Sequence, residues 1–164
     1  MSRQILDSSN QEDVADPAVA DRRAWMATLA KASLADLERA WAELDPPPAF
    51  TRLRPAETGL VMVRGRISGS GRPFNLGEMT MTRAAIRLDD GATGFGHVMG
   101  RSARHAELAA LFDALLQDPM RHDGLIALVV APLAARAAAD RQCKAAEVAA
   151  TKVDFFTLVR GEDR

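Results

Sequence analysis

Cysteine occurs once in the 164 residues, at Cys143, so the chain can form neither an internal disulfide nor a cysteine-built zinc site. A reducing compartment suits such a chain, and the expected location is the cytoplasm. Tyrosine is absent and aromatic residues make up only 5%. Few platforms remain on which bases can stack, which argues against single-strand nucleic-acid binding. Net charge is also nearly nil, with 21 basic against 22 acidic side chains, so the total points to neither nucleic acid nor an anionic membrane. No uninterrupted apolar run approaches bilayer length, and the N-terminus lacks the basic patch, apolar run and small-residue site of a leader. Lysine is scarce as well: Lys31, Lys144 and Lys152 are the only ones, and every other basic residue is arginine. The planar fork of arginine suits carboxylates and phosphates. A GC-rich genome produces the same bias.

At 17.7 kDa the chain is long enough to bury a core without a metal or disulfide. Residues 1–16 mix Ser, Asn, Gln and acids and read as a mobile tail. Residues 17–164 are expected to form a single domain. The organising stretch is 74–100, which reads as a β-hairpin. Thr80, Thr82, Ala84, Ile86 and Leu88 fall on one side of its first strand; Met79, Met81, Arg83, Ala85 and Arg87 fall on the other. Asp90-Gly91 supplies the positive backbone angle of a tight turn, and 93–99 returns as the second strand. The basic, Met-bearing side needs a cover, for which the flanking helices are the candidates.

Upstream, Asp16-Pro17 signals a helix start, and Ala24, Trp25, Leu29 and Ala32 recur at helical spacing. Ser33 caps a second helix carrying Leu34, Leu37, Trp41 and Leu44, which ends before Pro46-Pro47-Pro48. The two tryptophans lie on the apolar stripes and read as packing residues. Residues 52–54 are extended, 55–59 bend, and 60–67 form a strand with Val61, Val63 and Ile67 on one face and Met62, Arg64 and Arg66 on the other. Ser68-Gly69-Ser70-Gly71 is a connector that lacks the Gly-Lys-Ser/Thr of a phosphate loop. Downstream, Ser102 caps a helix to Leu116 whose alanines permit close approach to a sheet. Residues 123–130 are an apolar run whose periodicity fits either a short helix or a buried strand, and Pro132 opens a long alanine-rich helix to about residue 151. The fold class is therefore α+β: an antiparallel sheet with a central hairpin, covered by an N-terminal helical pair and C-terminal helices.

Chemistry is sparse. His97, His105 and His122 show no metal-ligand spacing, and no catalytic residue is assigned. His105, Glu107 and Glu78 would make an acid-base set if the helix packed on the hairpin; a helix-surface histidine explains the first equally well. Cys143 sits mid-helix without activating neighbours. Arg64, Arg66, Arg83 and Arg87 are the candidate contacts for a polyphosphate or for carboxylates of a partner, against the plainer reading of a solvated sheet face. In the closing segment, adjacent Phe155 and Phe156 point to different sides of an extended chain, so one of them needs a hydrophobic contact elsewhere. With Arg160 they form a candidate partner interface.

Arg54-Pro55-Ala56-Glu57-Thr58-Gly59-Leu60, Gly77-Glu78, Thr82-Arg83-Ala84-Ala85, Gly100-Arg101, His105-Ala106-Glu107 and Lys152-Val153-Asp154-Phe155-Phe156-Thr157 occur in order. In these the chain resembles the PhnG family of the carbon-phosphorus lyase system, over residues 22–161. The resemblance implies a subunit assembled with PhnH, PhnI and PhnJ, with PhnL assisting. That system transfers an alkylphosphonate onto the ribose of ATP and releases adenine. It implies ATP as substrate of the complex, no cofactor in this chain, and room for self-association within the complex. The alternative is a stand-alone small phosphate- or nucleotide-binding protein.

Overall fold

The computed structural model describes residues 16–67 and 70–151. Residues 1–15, which make up nearly all of the expected tail, lie outside the described residues, as do Ser68, Gly69, Phe155, Phe156 and Arg160. The order is α1 (Pro17–Lys31), α2 (Leu34–Ala42), β1 (Phe50–Arg66), β2 (Pro73–Leu88), β3 (Thr93–Met99), α3 (Ala103–Leu115), α4 (Pro119–Leu125), a π-helical turn (Ile126–Val130) and α5 (Ala131–Ala150). The three strands form one antiparallel sheet in the order β1-β2-β3.

The local signals act where the sequence places them. Asp16 accepts a hydrogen bond from the Ala18 amide at 3.0 Å. Ser33 accepts from the Asp36 amide at 3.1 Å and Ser102 from the His105 amide at 3.3 Å, so each helix start has its orphan donors answered by a short polar side chain. Gly91 turns the β2-β3 hairpin at φ 95°.

The core lies on one side of the sheet. Thr82, Ala84, Ile86 and Leu88 of β2 and Val98 of β3 point into it, as the alternation predicts. Helix α3 covers them and is itself enclosed: every residue from Ala106 to Leu115 is buried. It sits so close to β3 that a methyl group added at Gly94 would collide with the Ala110 carbonyl, and one at Gly96 with the Ala106 carbonyl. The two glycines are two apart on the strand and the two carbonyls four apart on the helix, so one turn of α3 rests on one pleat of β3. Helix α1 adds Trp25 and Leu29, and α2 adds Leu37, to this core. Trp41 meets Phe112 and Phe50 edge-on, with ring centroids 6.4 Å apart in both pairs, so both tryptophans pack as expected.

A buried acid locks these layers. Asp113 of α3 has no solvent exposure. Its carboxylate accepts from Arg22 at 2.8 and 3.1 Å, from the Trp25 indole at 2.9 Å and from the Phe95 amide at 2.9 Å. One side chain thereby ties α1, α3 and the outer edge of β3 together and leaves that edge amide paired.

Three expectations are corrected. The 55–59 stretch does not bend away; β1 runs unbroken for 17 residues. Extra residues between Arg52 and Arg54 and between Arg54 and Glu57 are absorbed as bulges, and Pro55 is tolerated because β1 is the edge strand among the described residues, with no second neighbour there to receive its missing N–H. The flanking helices cover the Thr82–Ile86 side, leaving the Met81–Arg83 side open. Finally, residues 123–130, whose periodicity fits helix and strand alike, are helical, and Pro132 stands in the first turn of α5 as expected but does not open a separate helix: α4, the π turn and α5 run as one 32-residue helix, Pro119–Ala150. The widened turn just before Pro132 makes room for a ring that would otherwise strike the Leu128 carbonyl. By length and composition this helix is able to cross a bilayer. Here it belongs to the domain, sending Leu125, Val129 and Val130 into the core and pairing Arg136 with Asp36 at 3.1 Å.

Two substitutions test this packing. Gly96→Ala is expected to lower the free energy of unfolding by about 3 kcal/mol, because neither backbone can yield. Asp113→Ala is expected to lower it by about 3–5 kcal/mol, since it orphans two buried donors and an arginine. Urea unfolding of both variants measures the effect.

Candidate functional site

The side of the sheet away from α3 is a mixed surface set by strand register. Glu57 of β1 stands opposite Arg83 of β2, which stands opposite His97 of β3. One row further along are Gly59, Met81 and Met99, and then Val61 opposite Met79. In the other direction lie Arg54, Ala85 and Phe95. Around Glu57, Val61, Met81, Arg83 and His97 the surface dips into a depression of about 350 Å³. Gly59 leaves its floor open, for a methyl group there would meet nothing within 4 Å. Charges ring this apolar floor: Glu57 bonds Arg54 at 3.1 Å and lies 3.7 Å from Arg83. Phe95 and Met99 are exposed.

The four candidate arginines do not form one site. Arg83 and Arg87 are on the three-stranded part, on the open face. Arg64 and Arg66 pair with Asn75 and Pro73 near the far end of β1 and β2. Eight β2 residues separate Asn75 from Arg83, a distance of about 26 Å at the ordinary strand rise. No single phosphate chain spans that gap.

Beyond Met81, β2 loses its β3 partner, and residues 60–66 and 73–80 continue as a two-stranded arm. No residue of this arm is buried.

The proposed acid-base set is not assembled. The His105 ring nitrogen Nε2 lies 2.9 Å from the Leu29 carbonyl, on the α1 side of α3. Glu78 is out on the arm, opposite Met62. Glu107 is instead held between arginines: Arg52 grips it at 2.6 and 3.0 Å and Arg104 reaches it at 3.1 Å, while Arg104 also clasps Glu38 at 2.8 and 3.0 Å. This chain of ion pairs joins β1, α3 and α2. The Arg52 hydrogen bonds hold the Glu107 carboxyl below the ordinary glutamate range against the opposing effect of burial, with Arg104 adding to the shift. Arg104 lowers Glu38 in the same way, and the Ser33 hydroxyl leads in lowering Asp36. Sequence reasoning missed this network and the Asp113 clamp. The available signal was an acid on an otherwise apolar helix stripe, Asp113 between Phe112 and Leu116.

A second concavity, about 830 Å³, opens between α1 and α4 beside Trp25, Leu116, Pro119 and His122. Arg22 lines it, but its guanidinium is committed to Asp113.

Fold and site together define a small α+β domain with one sheet face filled and the other bare. The chain belongs to the PhnG family: the family model described as phosphonate metabolism protein PhnG matches residues 20–161. A relative from Rhizobium meliloti (strain 1021), named alpha-D-ribose 1-methylphosphonate 5-triphosphate synthase subunit PhnG, is 47% identical over 159 residues, covering 97% of this chain and 100% of that protein. The resemblance carried by the ordered motifs thus extends through the domain.

The depressed carboxyls give a pH prediction. A group whose folded pKa lies below its unfolded value contributes stability above the unfolded value, and that contribution disappears as pH falls through the folded one. Stability is therefore expected to fall below about pH 4.5. Glu107→Gln is expected to flatten that acid limb while also lowering stability at neutral pH, as read by urea midpoints across a pH series.

Proposed function

We propose that this chain is a docking subunit of an α-D-ribose 1-methylphosphonate 5-triphosphate synthase in phosphonate metabolism, supporting transfer of an alkylphosphonate onto the ribose of ATP at a partner's active site. PhnH, PhnI and PhnJ are its partners in this reading, PhnL assists, and the complex works in the cytoplasm. ATP is the substrate of the assembly, and this chain holds no cofactor.

The observation that carries the reading is the bare sheet face. In a two-layer fold the uncovered side is ordinarily polar. Here it presents exposed Phe95 and Met99 and half-buried Val61, Met79 and Met81 on either side of a charged row, Glu57, Arg83 and His97, with Arg54 and Arg87 further along. Aromatic and methionine side chains interleaved with arginines are the residue types enriched at protein interfaces. Methionine suits such a surface because its flexible thioether adapts to the facing side chains. Helix α5 adds a second open surface, for none of its residues is buried, although Leu133 packs against the core and Arg136 pairs with Asp36. The separation of the arginine pairs weakens the alternative of a stand-alone nucleotide-binding protein.

Co-expression tests the assignment. Met81→Glu with Met99→Glu, both at the open face, is expected to abolish co-purification with the PhnI-type subunit, a loss of at least about 30-fold in affinity. Arg83→Ala is expected to leave the apparent KM for ATP of the assembled system unchanged. Normal assembly of the double methionine variant would remove this face from the interface, and turnover of ATP and methylphosphonate by the isolated chain would refute the docking role.

A further inference from the structure

The two-stranded arm has no reason to be stable where it stands. A lone β-ribbon is marginal in water, and it becomes durable only with a third strand or with something packed on its apolar side chains. Within the domain, β3 and α3 supply both. Past Met81 they supply neither, since the β2-β3 pairing ends at Met81 opposite Met99.

The arm is nonetheless apolar, and on two sides. Leu60 and Met62, opposite Thr80 and Glu78, prolong the very face that α3 covers further along, and they remain 64% and 51% exposed. Phe74 and Leu76 gather instead around Gly65, each with an atom 3.9 Å from where a methyl group on that glycine would sit, and are 41% and 66% exposed. The register shift between Val63 and Arg64 separates the two pairs along the ribbon. A surface laid against one side would leave the other pair in water. Both are satisfied only by a groove that closes around the ribbon.

Charge narrows the choice of occupant. The described residues of the arm and its tip carry Arg64, Arg66 and Arg72 against a single acid, Glu78, whereas the whole chain has a net charge of −1. No ion pair within the chain neutralises those three arginines among the described residues; Arg66 donates only to the Gly71 carbonyl, at 3.1 Å. Among the described residues no strand pairs with either outer edge of the ribbon, which leaves backbone groups there for a partner strand.

We propose that residues 60–66 and 73–80 form an insertion arm, clasped in an apolar, acid-rimmed groove of another protein subunit. It adjoins the bare sheet face at Val61 and Met79 and carries the contact beyond it. The inference rests on the reading of this chain as a subunit, and adds where and by what chemistry one partner holds it.

Hydrogen-deuterium exchange on the unmodified chain, alone and within the co-expressed complex, tests it. Alone, the arm amides are expected to exchange freely while those of the three-stranded part stay protected. On assembly the arm amides are expected to gain at least about 100-fold protection. Leu60→Ser with Leu76→Ser is expected to weaken assembly at least about 30-fold with the far-ultraviolet spectrum unchanged. Arg64→Glu with Arg66→Glu is expected to slow association and to remove its acceleration at low salt.

Arm amides that stay unprotected in an intact complex would overturn the arm while leaving the subunit reading in place. Protection that rises with concentration of the isolated chain would assign the arm to a second copy and overturn the proposal. So would binding of the isolated chain to phosphatidylserine vesicles through the same residues. Failure of the unmodified chain to assemble with any partner subunit would remove the subunit reading, and the arm with it.

Discussion

Backbone contact between α3 and β3 is the constraint on which the rest of this molecule depends. Gly94 and Gly96 let the Ala106 and Ala110 carbonyls come down onto the strand at a distance that no side chain would tolerate. Once the helix lies that close, its opposite side is available to α1, α2 and α4, and it becomes a buried rod with neighbours all round. Asp113 then has nowhere to find water. Its four hydrogen bonds to Arg22, Trp25 and Phe95 are what make a carboxylate tolerable in that position. The same bonds dictate where α1 crosses and close the amide of an edge strand.

The close fit also decides what is left uncovered. A helix of 13 residues is about 20 Å long and can shield only a limited length of strand. Strands β1 and β2 have 17 and 16 residues, each more than 50 Å when extended. Coverage therefore has to end, and it does so near Met81, where β3 ends as well. The arm follows from long strands paired with a short helix and a short third strand, and the bare sheet face from described helices that pack on one side of the sheet only. An architecture built to be self-sufficient would trim β1 and β2 or lengthen α3.

Much of this was legible in sequence because it is local. Asp16, Ser33 and Ser102 cap helices through bonds that span two or three residues, and Asp90-Gly91 sets a turn within four. The alternation along 80–88 correctly grouped the residues that share a side, though not which side the helices cover. What failed depends on distant partners. Pro55 looked like a break because its neighbours in sequence do not reveal that β1 has an unpaired edge, where a missing N–H costs little. Pro132 looked like a start because nothing local announces a π turn. Which face the helices would choose was fixed by Gly94 and Gly96, small residues that periodicity treats as neutral. The four arginines were grouped by residue type and by strand side, neither of which measures the distance along a strand.

The arginine excess resolves into two populations once the contacts are known. Arg22, Arg52, Arg104 and Arg136 are structural: each grips a carboxylate on another element, so that α1, α2, α3, β1 and α5 are tied through Asp113, Glu107, Glu38 and Asp36. This use favours arginine over lysine, because a two-pronged donor fixes orientation as well as distance. Arg64, Arg66, Arg72 and Arg87 have no such carboxylate among the described residues, and they occur on the arm, its tip and the open sheet face. They are four of the seven described arginines without a carboxylate; Arg23, Arg101 and Arg141 stand elsewhere, on α1, before α3 and on α5. The four accompany apolar residues that the fold leaves uncovered. A methionine- and leucine-bearing surface with unmatched positive charge at its margins gains from a partner that brings both apolar contact and acid. The near-zero net charge hides this local imbalance, because the acids that offset these arginines in the total, Asp21, Asp45, Asp123 and Asp140 among them, stand on other parts of the chain.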